Sequence, residues 1–214
     1  MVKLPILVYF VVGSSFLAAM VALVRYHRLD TAAKALAWLC IANYCEGAVA
    51  YILSLRKIRN LELLNDYRPI ELFLTACVFY FMVQSRTARR LLVLCTSIFV
   101  LVWIADKIFL DDPGHLNNRM ALLSRVVAVT MSIASLYFGA KESETLFIER
   151  PLFWVGTAVL LYSSGTLLVL GLSNQLAFMN REIFIMAWQI NWILLIMANL
   201  FYTKGLLCKP QRPK

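Results

Sequence analysis

Charge is scarce in this chain of 214 residues: only 15% of it is Asp, Glu, Lys or Arg, against 61% apolar. Soluble domains carry about 25% charged and 45–50% apolar residues. A soluble fold of this length could not hide so much apolar surface, so lipid must be the solvent for much of it. The class is an all-α integral membrane protein, organised as one transmembrane domain over 1–214.

Other scarcities remove chemistries. Histidine occurs twice, as His27 and His115, both between apolar runs. Two such distant imidazoles make no metal site, which excludes seven-helix zinc hydrolases, and they leave Ser163 and Ser164 without an activating base. Lysine is missing from the last apolar run until Lys204 at its end, which excludes a retinal protein. No phosphate-cradling glycine loop is present. The five cysteines (Cys40, Cys45, Cys77, Cys95, Cys208) show no CxxC spacing, and four lie in apolar runs. They read as small buried hydrophobes. Cys208, beyond the last run, is the one placed to accept a lipid. No internal repeat is visible, which argues against transporters built from duplicated halves. No catalytic constellation, metal site or cofactor site emerges, so the chain reads as a non-enzyme.

What the chain has in quantity is apolar length. A helix needs about 20 mainly apolar residues to cross the hydrocarbon core. That ruler predicts seven transmembrane helices, at about 4–25, 33–55, 69–85, 90–110, 119–140, 151–173 and 181–203. The first run is too long for a signal-peptide core and lacks a small-x-small cleavage site. Pro69 and Pro151 stand where a helix start tolerates proline. DDPGH (111–115) reads as a turn. Trp38, Trp103, Trp154 and Trp188 read as interfacial anchors.

The net charge of +9 comes from clusters between the runs, such as Arg86, Arg89, Arg90 and Lys204, Lys209, Arg212, Lys214. That is the distribution of cytoplasmic loops beside anionic membrane lipid, not of a nucleic-acid surface. It predicts a cytoplasmic C-terminus and, with seven spans, an N-terminus outside. Segment 55–69 dissents, with Arg56, Lys57, Arg59 and Arg68 on the outer side. Its Ile58, Leu61 and Leu64 recur at helical spacing, so an amphipathic surface helix is expected there.

Ionisable groups inside spans face the bundle interior or a water-filled cavity, and normally have partners. Placed by depth, Glu46 lies near mid-membrane with Asn43 one turn away on the same face. Glu71 opens the third span, Asp106 closes the fourth, and Arg125 sits about two turns inside the fifth. The seventh run adds Gln189 and Asn191, with Tyr51 and Ser163–Ser164 able to line the same space. Asn43, Glu46, Glu71, Asp106, Arg125, Gln189 and Asn191 thus define a polar set in the outer half. Glu46–Arg125 is the first expected pair, each being the deepest of its sign, and Asp106–Arg125 the second. The alternatives are polar groups that only pack helices, and a proton relay.

The segments PLFWVGTAVLLYSSGTLLVLGLSN (151–174) and WQINWILLIMANLFYTKGLLC (188–208) carry a resemblance. Phe153, Trp154, Tyr162, Ser164, Gly165, Trp188, Trp192 and Asn199 resemble a group of bacterial seven-helix integral membrane proteins of unknown function. Asn191 and Trp192 depart from the His-Asn of that group. The group is reminiscent of membrane sensor regions of two-component histidine kinases, which implies a bacterial inner (cytoplasmic) membrane location and a sensory role. The expected function is sensory or accessory. A small amphiphile or membrane lipid would bind in the outer-half cavity, and helix rearrangement would report to a cytoplasmic signalling partner such as a kinase. The basic tail KPQRPK holds no output domain, so the partner is expected to be a separate chain. A small transporter using Glu46 as a proton or cation site, and a structural protein, are the other readings.

Overall fold

A computed structural model describes residues 6–56, 58, 60–110, 117–141, 146–178 and 181–208. It contains seven helices: α1 (Ile6–Arg25), α2 (Thr31–Leu55), α3 (Leu61–Met82), α4 (Arg86–Phe109), α5 (Asn118–Lys141), α6 (Pro151–Phe178) and α7 (Arg181–Leu207). Short 3-10 turns at Tyr26–Arg28 and Phe147–Glu149 complete the regular structure, and no strand occurs among the described residues. Local signals set several boundaries. Asp30 caps α2 by accepting from Ala33 N at 2.8 Å, and Ser85 caps α4 by accepting from Ala88 N at 3.4 Å. DDPGH, and the tail after Cys208, lie outside the described residues.

Chain neighbours pack against one another, and α1 closes the bundle against α7. α3 packs against α2, α4, α5 and α6. Helix directions alternate. Arg25 Nη1 donates to the Leu206 carbonyl at 2.7 Å, so the ends of α1 and α7 share a face. Gly205 packs there beside Leu36 and Val155, which brings in the starts of α2 and α6. This basic face also holds Arg86, Arg89, Arg90 and Lys141. At the opposite, mixed face, Lys107 at the end of α4 pairs with Asp66 near the start of α3 at 3.0 Å.

Among the described residues, six helices carry apolar stretches long enough to cross a membrane: Ile6–Arg28, Thr31–Leu55, Arg86–Phe109, Asn118–Lys141, Pro151–Gly171 and Ile185–Leu207. Their outward faces are apolar and exposed, as at Leu101, Ile133 and Leu168. The chain is therefore a membrane-embedded helical bundle. α3 differs from the third run expected at 69–85. It begins at Leu61, carries Glu62, Asp66, Arg68 and Glu71, and has Pro69 in its interior. Most of the surface helix expected over 55–69 is thus the opening of α3 itself. Pro69 cannot donate to the Asn65 carbonyl, one turn back, but the helix continues through it.

Small polar side chains also join neighbouring helices. Ser132 of α5 donates to the Gly156 carbonyl of α6 at 2.5 Å, and Asn199 Nδ2 of α7 donates to Ser14 Oγ of α1 at 3.1 Å. Each is worth about 0.6 kcal/mol in a membrane. The α5–α6 contact depends more on closeness. A Cβ on Gly156 would lie 2.6 Å from Leu136 Cδ2 and 2.8 Å from its Cγ. Because the branch point itself is struck, rotating the leucine tip does not clear the clash. Gly156→Ala is expected to cost about 1–3 kcal/mol of overpacking. That exceeds the ~1 kcal/mol gained in helix propensity. A fall in the thermal unfolding midpoint in mild detergent would show it, and a rise would contradict it.

The tryptophans divide. Trp38 is largely exposed, with its ring edge-on to Tyr26, as an interfacial anchor would be. Trp154 instead packs on Phe153 and Phe201, with Lys204 Nζ 5.9 Å from its ring centroid.

Candidate functional site

The central feature of the polar half is an ion pair between α3 and α5. Arg125 Nη1 donates to Glu71 Oε1 and Nη2 to Glu71 Oε2, each at 2.9 Å, with the side chains 14% and 20% exposed. The planar guanidinium matches the carboxylate fork, so both bonds form without strain. Arg125 also lies 4.8 Å from the Tyr162 ring centroid of α6. A cation over an aromatic face is held by the ring quadrupole, more strongly where water is excluded. Thus α3, α5 and α6 are joined through one guanidinium.

Neither expected pairing is formed. Arg125 meets Glu71 rather than Glu46 because α3 packs directly on α5, whereas α2 packs on α1, α3 and α7. The direction each side chain faces, not its depth, decides the pairing. Asp106 is kept from Arg125 by local chemistry at the mixed face. It is 5% exposed, accepts from Asn117 Nδ2, and has Arg119 Nη2 at 4.0 Å. Asn117 also accepts from Met120 N at 3.1 Å, capping α5, while its own backbone N donates to Asn65 Oδ1 at 3.3 Å. Asp106 therefore belongs to a rim network that ties α3, α4 and α5 together.

Glu46 remains within electrostatic range of both Glu71 and Arg125. Its Oε1 is buried and has no hydrogen-bond partner. Asn43, one turn away, is engaged: Tyr67 OH of α3 donates to its Oδ1 at 2.5 Å. On α7, Asn191 is buried and its Oδ1 lies 2.7 Å from Thr166 Oγ1 of α6. The Thr166 hydroxyl is also 2.7 Å from the Tyr162 carbonyl, so Asn191 is linked to the ring under Arg125 through one turn of α6. Gln189 is half-buried and joins none of these bonds.

Six of the seven expected residues thus form three neighbouring groups rather than one, and Gln189 joins none of them. Glu71, Arg125 and Glu46 are central, Asn43 and Asn191 are joined to the centre through Tyr67 and Tyr162, and Asp106 is on the rim. Tyr67, Arg68, Tyr162, Thr166 and Tyr202 were missed as site residues. Tyr67 and Arg68 lie in the segment expected to be an amphipathic surface helix, ahead of the span start expected at Pro69.

A small cleft opens beside the ion pair, bounded by Arg68, Glu71, Thr75, Arg125, Tyr162 and Tyr202. Its room is that of about one water molecule. A second cleft of similar size lies toward the rim between Asp66, Arg68 and Asp106. Arg68 lines both, and it makes no ion pair among the described residues. No known family model, curated protein or solved structure matches this chain. The site must be read from its own chemistry. No group of three or more metal-ligating side chains occurs among the described residues. The cleft is too small for the whole amphiphile expected there. It fits water, an ion, or one polar atom of a headgroup.

Proposed function

We propose that this chain is a seven-span sensory or accessory membrane protein whose responsive element is the Glu71–Arg125–Tyr162 junction. In this reading α3 also spans the membrane and brings the number of spans to seven, with Arg68 and Glu71 turned toward the bundle. The lysine and arginine bias puts the basic face in the cytoplasm, the C-terminus inside and the N-terminus outside. The resemblance of 151–174 and 188–208 to bacterial seven-helix proteins supports an inner-membrane location and a cytoplasmic signalling partner such as a kinase.

The observation that carries the proposal is that Glu46 Oε1 is buried without a partner while Arg125 is held by Glu71 nearby. One cation with two acids in range has two discrete arrangements, the kind of element a ligand or ion can bias. Moving Arg125 from Glu71 toward Glu46 would loosen α3 from α5. Both helices reach the basic face, where a partner would read the change. The stimulus is a polar or ionic group entering from the mixed face, with any amphiphile tail remaining in lipid.

Spin labels at Gln84 and Lys141, near the basic ends of α3 and α5, test this in nanodiscs. Their distance distribution is expected to shift when a medium-chain fatty acid or a short-chain phosphatidylglycerol is added, and Arg125→Gln is expected to abolish the shift. An unchanged wild-type distribution with both probes would refute the sensory reading. The unpartnered Glu46 oxygen also favours a second reading, a proton or cation site in a small transporter. That reading requires pH-driven uptake in liposomes that disappears in Glu46→Gln; unaltered flux would remove it.

A further inference from the structure

Among the described residues, a space far larger than either polar cleft lies elsewhere. It is an apolar groove of about 340 Å³ between α3 and α4, in the half nearer the basic face. Phe73, Cys77, Tyr80 and Phe81 of α3 form one wall, and Val93 and Ser97 of α4 form the other. Phe73, Phe81 and Val93 are about half exposed, so the groove opens sideways, where lipid surrounds the bundle. Its size falls in the ~300–1,000 Å³ range of ligand sites.

The groove has a charged end. Residues 86, 90, 93 and 97 are spaced at four, three and four, so Arg86, Arg90, Val93 and Ser97 form one stripe along α4. The two arginines therefore lie above the α4 wall, on its basic-face side. Both are exposed, and neither makes an ion pair among the described residues. Arg89 is committed elsewhere. Its Nε donates to the Val83 carbonyl at 2.8 Å, and its guanidinium lies 5.2 Å from the centroid of the Tyr80 ring that lines the groove. This fixes the end of α3 against the start of α4 and gives the mouth a third positive charge.

We infer that this groove holds one anionic phospholipid, with an acyl chain between Phe73, Phe81 and Val93 and its phosphate against Arg86 and Arg90. A second copy of the chain fits less well. Two copies sharing a membrane orientation would meet here with Arg86 and Arg90 facing their own equivalents, like charges with no anion between them. A phosphate supplies the missing negative charge, and an acyl chain supplies the apolar filling. The groove begins at Phe73, two residues past Glu71, and runs from there toward the basic face; its occupancy is read from retained lipid, so it stands or falls independently of the sensory reading.

The test uses the full chain in nanodiscs of equal phosphatidylglycerol and phosphatidylcholine. Lipid retained on release is counted by native mass spectrometry, with a phosphatidylglycerol bearing a photoreactive acyl chain as the second readout. Wild type is expected to retain one phosphatidylglycerol in preference to phosphatidylcholine, and to be labelled on peptides spanning 73–81 and 93–97. Arg86→Gln with Arg90→Gln removes only exposed charge, and is expected to reduce the preference by roughly fivefold per arginine, about 25-fold together. Lys141→Gln, on the same face but on α5, is expected to change nothing. Val93→Trp fills the groove and is expected to abolish labelling while the helical circular dichroism persists. Equal retention of both lipids by wild type, retention unchanged in the double arginine variant, or a dimer abolished by Val93→Trp would each overturn the assignment.

Discussion

Arg125→Gln is expected to cost about 3–5 kcal/mol, the cost of leaving the partner of a buried charge pair unanswered. Total stabilities are of the order of 5–15 kcal/mol, so this is a large fraction. The loss has two sources. Glu71 loses both of its 2.9 Å bonds, and Tyr162 loses the cation over its ring. Glu71→Gln is expected to cost less, because the freed guanidinium still has Glu46 within range. Glu71→Gln combined with Arg125→Gln replaces a charged pair by two amides that can bond to each other, so it should be more stable than Arg125→Gln alone. Unfolding free energies by steric trapping in bicelles give the cycle. If the double variant loses the sum of the two singles, the pair is not coupled and Arg125 does not join α3 to α5 through Glu71. A further arm tests the two-acid arrangement directly. Glu46→Gln should cost little in wild type and about 3 kcal/mol or more in the Glu71→Gln background, where Glu46 has become the partner of Arg125.

Apolar length was readable from residue order alone, because spanning a bilayer is a one-dimensional demand on hydropathy. Six helices accordingly lie close to their expected positions, with ends shifted by a few residues where Asp30 and Ser85 add caps. α3 was the exception because two local signals pointed the same wrong way. Pro69 marks a span start, and Glu62, Asp66 and Arg68 point to a surface helix outside the membrane. Tertiary contacts override both: Tyr67 bonds Asn43, Asp66 pairs with Lys107, and Glu71 with Arg125, so three partner helices support the charged turns of α3.

The pairing of the polar residues was not readable, for a different reason. Their approximate depth follows from counting residues along each run. Which of them touch depends on helix order and rotation, and nothing in one sequence fixes those. The missed partners are hydroxyl-bearing residues, Tyr67, Tyr162 and Thr166. Such residues are common on both the inner and the outer faces of membrane helices. Tyr137, largely exposed on α5, is as prominent in the sequence as Tyr162 and belongs to no cluster.

Glu46→Met separates the readings of the carboxyl with which α2 faces this cluster. The substitution keeps the length of the side chain and removes an oxygen that is buried without a partner. A buried acceptor left unsatisfied costs about 1–3 kcal/mol, and replacing it by an apolar group of similar shape recovers much of that. Stability is therefore expected to rise, with a higher thermal midpoint in detergent than wild type. The spin-label response at Gln84 and Lys141 is expected to disappear in the same variant, because Arg125 no longer has a second acid to move toward. A residue that lowers stability yet is needed for a response is placed for function rather than for packing. A fall in stability would mean that Glu46 holds the bundle together, the structural reading. A rise with the response intact would remove Glu46 from the switch and leave the Glu71–Arg125 pair as a fixed brace between α3 and α5.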